Sequence, residues 1–365
     1  MRLVVFGLTI SSSWGNGHAT LWRGLCRALA ERGHVITFLE RDTPYYAEHR
    51  DRPDPEGVTL VLYDTWDAVR DRAAEAVRSA DVALVTSYCP NARDAFRLIE
   101  STPGTPLRVF YDLDSPVTLE KIREGAPVAY LPPDGLTGFD LVLSYAGGPV
   151  LEELATRFRA RRVAPLHGSV DPGVHRPAAP DPLLWGDLSY LGTYAADRQE
   201  ALQRLFLEPA RFHPERAFVL GGSQYPDGFP WPENVRYVRH VPPPRHAAFY
   251  SSSRFTLNIT RGPMLATGHC PSGRLFEAAA CGAAIVTDRW KGLEEFFEPD
   301  REILVADGPE DVARILRMDP LASATVGEAA RRRALADHTS SRRARELETL
   351  LETAGLGRVP NEGDR

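Results

Sequence analysis

The sequence predicts an α/β protein made of two doubly wound, parallel-sheet, Rossmann-like domains facing each other across a cleft. Three observations carry that expectation. The chain has 365 residues, more than one core of ordinary size accommodates. Both halves alternate short apolar runs with stretches of helical periodicity, and the runs are continuous rather than alternating, as in strands buried on both faces. Between Asp171 and Pro182 four prolines (Pro172, Pro177, Pro180 and Pro182) interrupt the periodicity and mark a linker. The resulting domains are residues 1–175 and 183–340, with a hinge at 176–182. A helix at 341–357 is read as packing back toward the first domain, and 358–365 is a tail.

In chain order, Leu3–Gly7 is an apolar run ending in a Gly/Ser-rich turn, and Leu21, Leu25, Ala28 and Leu29 then recur at helical spacing. Further strands are expected at Val35–Leu39, Val58–Leu62, Val82–Thr86, Leu107–Tyr111, Leu141–Ser144 and Val163–Leu166, with helices such as Ala68–Arg78 and Pro149–Arg159 between them. After the linker the pattern restarts with Leu188–Leu191, Ala217–Leu220, Val235–Val238, Phe255–Ile259, Ala284–Thr287 and Ile303–Val305. A helix over Gly273–Ala280 separates two of these strands. In such sheets ligands bind outside the carboxyl ends of strands, so functional residues are expected in the loops that follow them.

Composition narrows the function classes. At 43% hydrophobic and 25% charged, with 43 basic and 49 acidic residues and a formal charge of −6, the chain gives no global electrostatic reason to expect a polyanion-coating protein, and nucleic acid is not an expected partner. Lys121 and Lys291 are its only lysines. No apolar run is long enough for a transmembrane segment and the first strand is too short for a signal peptide, so a cytoplasmic location is expected and peripheral membrane contact has no support. Cys26, Cys89, Cys270 and Cys281 lack paired or metal-ligand spacing, which suits reduced thiols without disulfide or structural metal.

Cys270-Pro-Ser-Gly-Arg-Leu-Phe-Glu-Ala-Ala-Ala-Cys-Gly-Ala-Ala-Ile-Val-Thr-Asp288 resembles the donor-binding segment of GT-B glycosyltransferases, specifically the spore-maturation-protein-like (CgeB-type) branch related to retaining family 4, glycosyl transferases group 1. The resemblance extends from Phe255 through Val305. Pro165–Asp171 is similar to the stretch before the family's hinge, and Ser11–His18 sits where these enzymes carry an N-terminal glycine loop. The resemblance implies a GT-B fold with a nucleotide sugar bound by the second domain.

Physical chemistry gives each motif a role. Cys270–Gly273 precedes a helix whose free N–H groups and dipole favour a pyrophosphate, and Ser272 is placed to cap that helix. Glu277 lies one turn in, where a carboxylate can accept both hydroxyls of a ribose, the role its counterpart has in the family. With metal none and no cofactor beyond the UDP-, GDP- or dTDP-linked donor, leaving-group charge must be met by arginines. Arg198 falls at the lysine of the family's Gly-Arg-x-x-x-x-Lys segment, whose arginine is replaced by Thr193. Arg274 and Arg261 are the candidates for the second cation. His240-Val241 matches the stretch whose backbone pairs with the nucleobase, and Lys291 lies in the loop beside the donor sugar. His269 replaces a family glutamate near that sugar, which removes a fixed negative charge.

In the first domain Gly15, Asn16, Gly17 and His18 join the first strand to the first helix. The glycines permit close approach to a ligand, and His18 is the candidate acceptor-side group. Asp112 and Asp114 are assigned to the acceptor side or to structure rather than to a metal, because they lie far in sequence from the donor segment. The expected activity is hexosyl transfer (EC 2.4) from a nucleotide sugar to a small molecule, glycan or protein, with retention and without metal, and His18, Arg198 and Arg274 as catalytic residues. The alternatives are a sugar-nucleotide epimerase of the same fold and a non-catalytic sugar-nucleotide-binding assembly factor.

Overall fold

The structure is a computed structural model that describes residues 1–104 and 106–356; the proposed tail at 358–365 lies outside the described residues. The chain divides into two compact units, Met1–His167 with Ser340–Arg365, and Gly168–Thr339.

The first unit is built on a seven-stranded sheet: β1 (Arg2–Gly7), β2 (Val35–Arg41), β3 (Val58–Tyr63), β4 (Val82–Thr86), β5 (Leu107–Asp112), β6 (Leu141–Ser144) and β7 (Val163–Pro165). Their order is β3-β2-β1-β4-β5-β6-β7, and every pairing is parallel. Strand order reverses between β1 and β4, so the loops after these two strands open a crevice at the carboxyl edge. One sheet face is covered by helix Gly17–Glu31, whose Leu21, Trp22, Leu25 and Leu29 are buried, and by helix Ser340–Leu356 through Ala344, Leu347, Leu351 and Ala354. Glu348 fixes that last helix, accepting from Arg32 Nη2 at 2.5 Å and pairing with His34 Nε2 at 2.5 Å.

The second unit repeats the plan with β8 (Gly186–Leu191), β9 (Phe218–Gly221), β10 (Val235–Val238), β11 (Ser253–Asn258), β12 (Ala284–Thr287) and β13 (Leu304–Val305). The order β10-β9-β8-β11-β12-β13 is again wholly parallel, with its reversal between β8 and β11. Helix Gly273–Ala280 buries Leu275, Phe276 and Ala278–Ala280 against one face, and helix Pro320–Asp337 packs on it through Ala330 and Ala334. Gly327 is required there, since a Cβ would come within 2.3 Å of the Gly282 carbonyl oxygen. Leu202, Leu205, Phe206, Leu207, Val312 and Ile315 close the other face. Removing a buried side chain such as Phe276 would cost about 3–5 kcal/mol.

The division between units falls at His167/Gly168 rather than in the proline-rich stretch expected at 176–182. Residues 168–182 lie on the second unit: Val170 bridges Thr339, its N–H donates to His338 O at 2.9 Å, and His175 is 5% exposed. The prolines therefore mark irregular chain within the second unit, with a turn at Pro172 and a short 3-10 helix from Pro182. The two ends of the second unit leave it side by side at that bridge, which returns the last helix to the first unit. No helix among the described residues is long and apolar enough to cross a membrane.

Candidate functional site

In the second unit the loops after β8, β9 and β11 and the start of helix Gly273–Ala280 converge at the reversal of strand order. The β8 and β9 loops run backbone to backbone: Gly192 N–H donates to Gly221 O at 2.8 Å, and a Cβ on Gly222 would meet Gly192 O at 2.0 Å. Only glycine permits that approach. Arg274 reaches back from the helix start to donate to Leu191 O at 2.6 Å and to Ser272 Oγ at 3.2 Å. Arg198, in the turn after β8, donates from Nη2 to Thr193 O at 2.5 Å, while its Nε is buried without a partner. Burial is the largest influence on Arg198 and lowers its pKa, and the nearby charge of Arg274 acts in the same direction. Among the described residues neither arginine has a carboxylate within ion-pair distance. Arg261 differs, because Asp197 holds its Nε at 3.2 Å.

Ser272 occupies the N-cap with extended φ/ψ, but its side chain does not cap the helix as expected; its Oγ is engaged by Arg274. The N–H groups of Gly273 and Arg274 at the helix start have no protein acceptor among the described residues. Two backbone donors and two guanidinium groups thus gather in one place, a strongly anion-favouring arrangement.

Glu277 lies one turn along the helix, half-buried, and accepts from Tyr250 Oη at 3.4 Å. Its Oε2 is 3.9 Å from His175 Nε2 and 3.9 Å from His246 Nδ1. His246 Nε2 donates to Val241 O at 3.0 Å, so in the neutral ring Nδ1 is the bare nitrogen facing Glu277. Burial lowers the His246 pKa, with Glu277 opposing, and favours that neutral ring. Neither nitrogen of His175 has a hydrogen-bond partner, and both are buried. These three residues form a group able to hold a metal ion, with their ligand atoms all within 4.8 Å of one another. Sequence reading missed both histidines: His175 lies between Asp171 and Pro182, in the proline-rich stretch read as a linker, and His246 carries no motif around it.

The other residues expected on the donor side are spread along the neighbouring loops. His240 is exposed and Val241 is buried, its carbonyl already used by His246. His269 has φ +51°, donates its N–H to Lys291 O at 2.6 Å and pairs through Nδ1 with Glu295 at 2.6 Å. Gly268 and Gly292 admit this packing: a Cβ on Gly292 would approach His269 Nδ1 to 2.5 Å. The Lys291 side chain is exposed. Asp288, at the end of β12, is buried and accepts from Thr260 N–H at 3.0 Å and Thr260 Oγ1 at 2.7 Å, pinning the loop that leads to Arg261.

The first unit has its own cluster at the carboxyl ends of β1, β4 and β5. Glu40, fully buried at the end of β2, accepts from Thr9 Oγ1, Ile10 N–H, Ser11 N–H and Ser11 Oγ at 2.5–3.0 Å and so fixes the loop after β1. Gly15 turns that loop with φ +59°, and Asn16 caps helix Gly17–Glu31 by accepting from His18 N–H at 3.0 Å. Gly17 meets no such demand, since a Cβ there would have nothing within 4 Å. His18 Nε2 lies 3.6 Å from Asp114 Oδ2, and its buried Nδ1 has no partner. Tyr88, with φ +62°, sits 5.8 Å from the His18 ring, and Lys121 lies over its face.

The two aspartates separate. Asp112 is 0% exposed and cannot face an acceptor; its Oδ1 accepts from Asp114 N–H at 3.1 Å, and burial raises its pKa to about 6. Asp114 alone reaches His18.

Residues 198–349 match a family model described as glycosyl transferase-like. No curated protein matches the sequence. Among solved structures, the chain is similar to sucrose-phosphate synthase from Thermosynechococcus elongatus, at TM-score 0.66 and 14% identity, covering 98% of this chain and 100% of that one. It is similar to an alpha-glucosyltransferase in complex with UDP and a 13-mer DNA containing a HMU base, at TM-score 0.71 and 14% identity, covering 96% and 99%. The Anabaena protein HepE in complex with UDP and glucose gives TM-score 0.65 and 11% identity, covering 97% and 100%. Two parallel Rossmann-like sheets of the same strand order, with these likenesses spanning nearly the whole chain, give this protein the GT-B fold, with a glycosyl transferase-like domain over residues 198–349.

Proposed function

We propose that the protein is a glycosyltransferase that binds a nucleotide sugar on its second unit and transfers the sugar, with retention and without a catalytic metal, to an acceptor bound by its first unit. It is assigned to the spore-maturation-protein-like branch related to family 4. The observation that carries the reading is the pair Arg198 and Arg274: two guanidinium groups held partly out of water, without carboxylate partners among the described residues, beside the start of helix Gly273–Ala280, which has no side-chain cap. Such an arrangement is stabilised by an anion, and a pyrophosphate supplies two charges.

In this reading the N–H groups of Gly273 and Arg274 and the two guanidiniums hold the pyrophosphate, and Glu277 accepts from the ribose hydroxyls. The bond between the anomeric carbon and the phosphate oxygen breaks on the face where the acceptor oxygen bonds. The arginines and helix dipole stabilise the departing charge, and the departing phosphate oxygen takes the acceptor's proton. His18, oriented by Asp114, positions the acceptor hydroxyl. His269 Nε2 and Lys291 lie on the sugar side.

The test is product analysis with UDP-, GDP- and dTDP-hexoses, with and without a panel of hydroxyl acceptors. Acceptor-dependent release of nucleoside diphosphate, with a glycoside of the donor's anomeric configuration, is the expected result. Conversion of the donor to an epimer without acceptor would replace this reading with an epimerase, and binding without turnover would replace it with a sensor.

A further inference from the structure

We infer that His175, His246 and Glu277 form a binding site for a late first-row divalent cation such as Zn²⁺, occupied when the donor is absent and in competition with the donor's ribose. The competition rests on the ribose assignment above; the metal site does not.

The site is defined by a shortage of donors. Glu277 Oε2 accepts, and His246 Nδ1 is bare because Nε2–H donates to Val241 O at 3.0 Å. These two acceptors face each other across 3.9 Å. His175 is 5% exposed, both its nitrogens are without a partner, and its Nε2 is also 3.9 Å from Glu277 Oε2. A buried imidazole with neither nitrogen satisfied is costly, and facing acceptors repel unless a cation or a hydroxyl donor lies between them.

The ligand set selects the ion. Two imidazole nitrogens and one carboxylate suit zinc and its neighbours, whereas magnesium and calcium prefer oxygen alone. Bonds of about 2.0–2.1 Å place tetrahedral ligand atoms roughly 3.4 Å apart, so closing on an ion requires movements of about half an ångström to an ångström at side chains. Two outer hydrogen bonds already orient the ligands: Val241 O on His246 and Tyr250 Oη on Glu277. A fourth position is left to water. Because Glu277 cannot serve an ion and a ribose together, the ion inhibits by exclusion, and chelation would not diminish turnover.

The experiment is calorimetric titration of the EDTA-stripped, buffer-exchanged full chain with ZnCl₂, repeated with His175→Gln and His246→Gln. Near-unity stoichiometry is expected, weakened at least tenfold in each variant while far-ultraviolet circular dichroism and the melting transition are retained. Co²⁺ substitution should give the intense visible bands of four-coordination. Binding unchanged in either folded variant, or absent from the unsubstituted chain, would overturn the site. Whichever of UDP, GDP or dTDP binds should have its apparent Kd raised at least tenfold by saturating Zn²⁺, with the reciprocal effect on Zn²⁺ affinity. Zn²⁺ binding that depends on His175 but leaves nucleotide affinity unchanged would keep the metal site and overturn the ribose at Glu277.

Discussion

Arg198→Met gives opposite signs for a structural and a ligand-binding arginine. Among the described residues the Arg198 guanidinium makes one hydrogen bond, to Thr193 O, and its Nε is buried without a partner near Arg274. Losing that bond costs about 1 kcal/mol, and methionine keeps the packing while removing a desolvated charge repelled by its neighbour. The two effects offset, so unfolding free energy should move by no more than about 1 kcal/mol. In the bound state the same substitution removes charge-assisted bonds to phosphate. At about 1.5–3 kcal/mol each, two bonds at the lower figure give about 3 kcal/mol, or roughly 150-fold in Kd. Calorimetric titration with nucleoside diphosphate beside a chemical denaturation curve reads both quantities. Lost stability with unchanged affinity would refute the reasoning and make Arg198 a strut of the β8 loop.

Three further outcomes follow from the geometry. Glu277→Ala should weaken nucleotide-sugar binding by about 1.5–3 kcal/mol with the fold intact, and unchanged affinity in calorimetry would remove Glu277 from the donor site. His18→Ala should lower transfer substantially while directly measured donor affinity stays within about threefold; loss of donor binding from a cooperatively melting variant would contradict the separate assignment of acceptor and donor. Burial raises the Asp112 pKa from the ordinary carboxylate value near 3.8 to about 6, so the folded chain holds a proton that the unfolded chain releases between these values. Stability therefore falls as pH rises through that window, by about 2–3 kcal/mol, and is level above it. Asp112→Asn should abolish this fall, so its melting temperature should gain on the parent between pH 4 and pH 7; a constant difference would show Asp112 to be ionised throughout.

Much of the fold was legible because buried parallel strands write themselves as continuous apolar runs. All thirteen expected strands are present, with ends shifted by a few residues, and helix Gly273–Ala280 has the bounds the sequence suggested. The unit boundary differs from the expected hinge because proline density reports an interruption of helix and strand periodicity, and such irregular chain can lie within a domain as readily as between two. The arginines were singled out as candidates through local motifs. His175, His246, Glu40 and Asp288 were not, because each acts on residues far along the chain. Glu40 and Asp288 share a device that a single sequence conceals: a buried carboxylate at the end of one strand gathers the donors of the loop after its neighbour. For Asp112 the sequence left an acceptor-side and a structural role open, and its burial favours the structural one; that burial arises from strands β4 and β6 on either side of β5.

The central claim is that the second unit binds a nucleotide sugar, and ligand-induced stabilisation across UDP-, GDP- and dTDP-sugars tests it most directly. A ligand at 100 times its dissociation constant adds about 2.7 kcal/mol to the stability of the state it binds. The account predicts a dose-dependent rise in melting temperature with at least one of these donors, nearly abolished in Arg198→Met and cut by about half or more in Glu277→Ala. An unshifted transition with all three at millimolar concentration, or a rise undiminished by both substitutions, would contradict it.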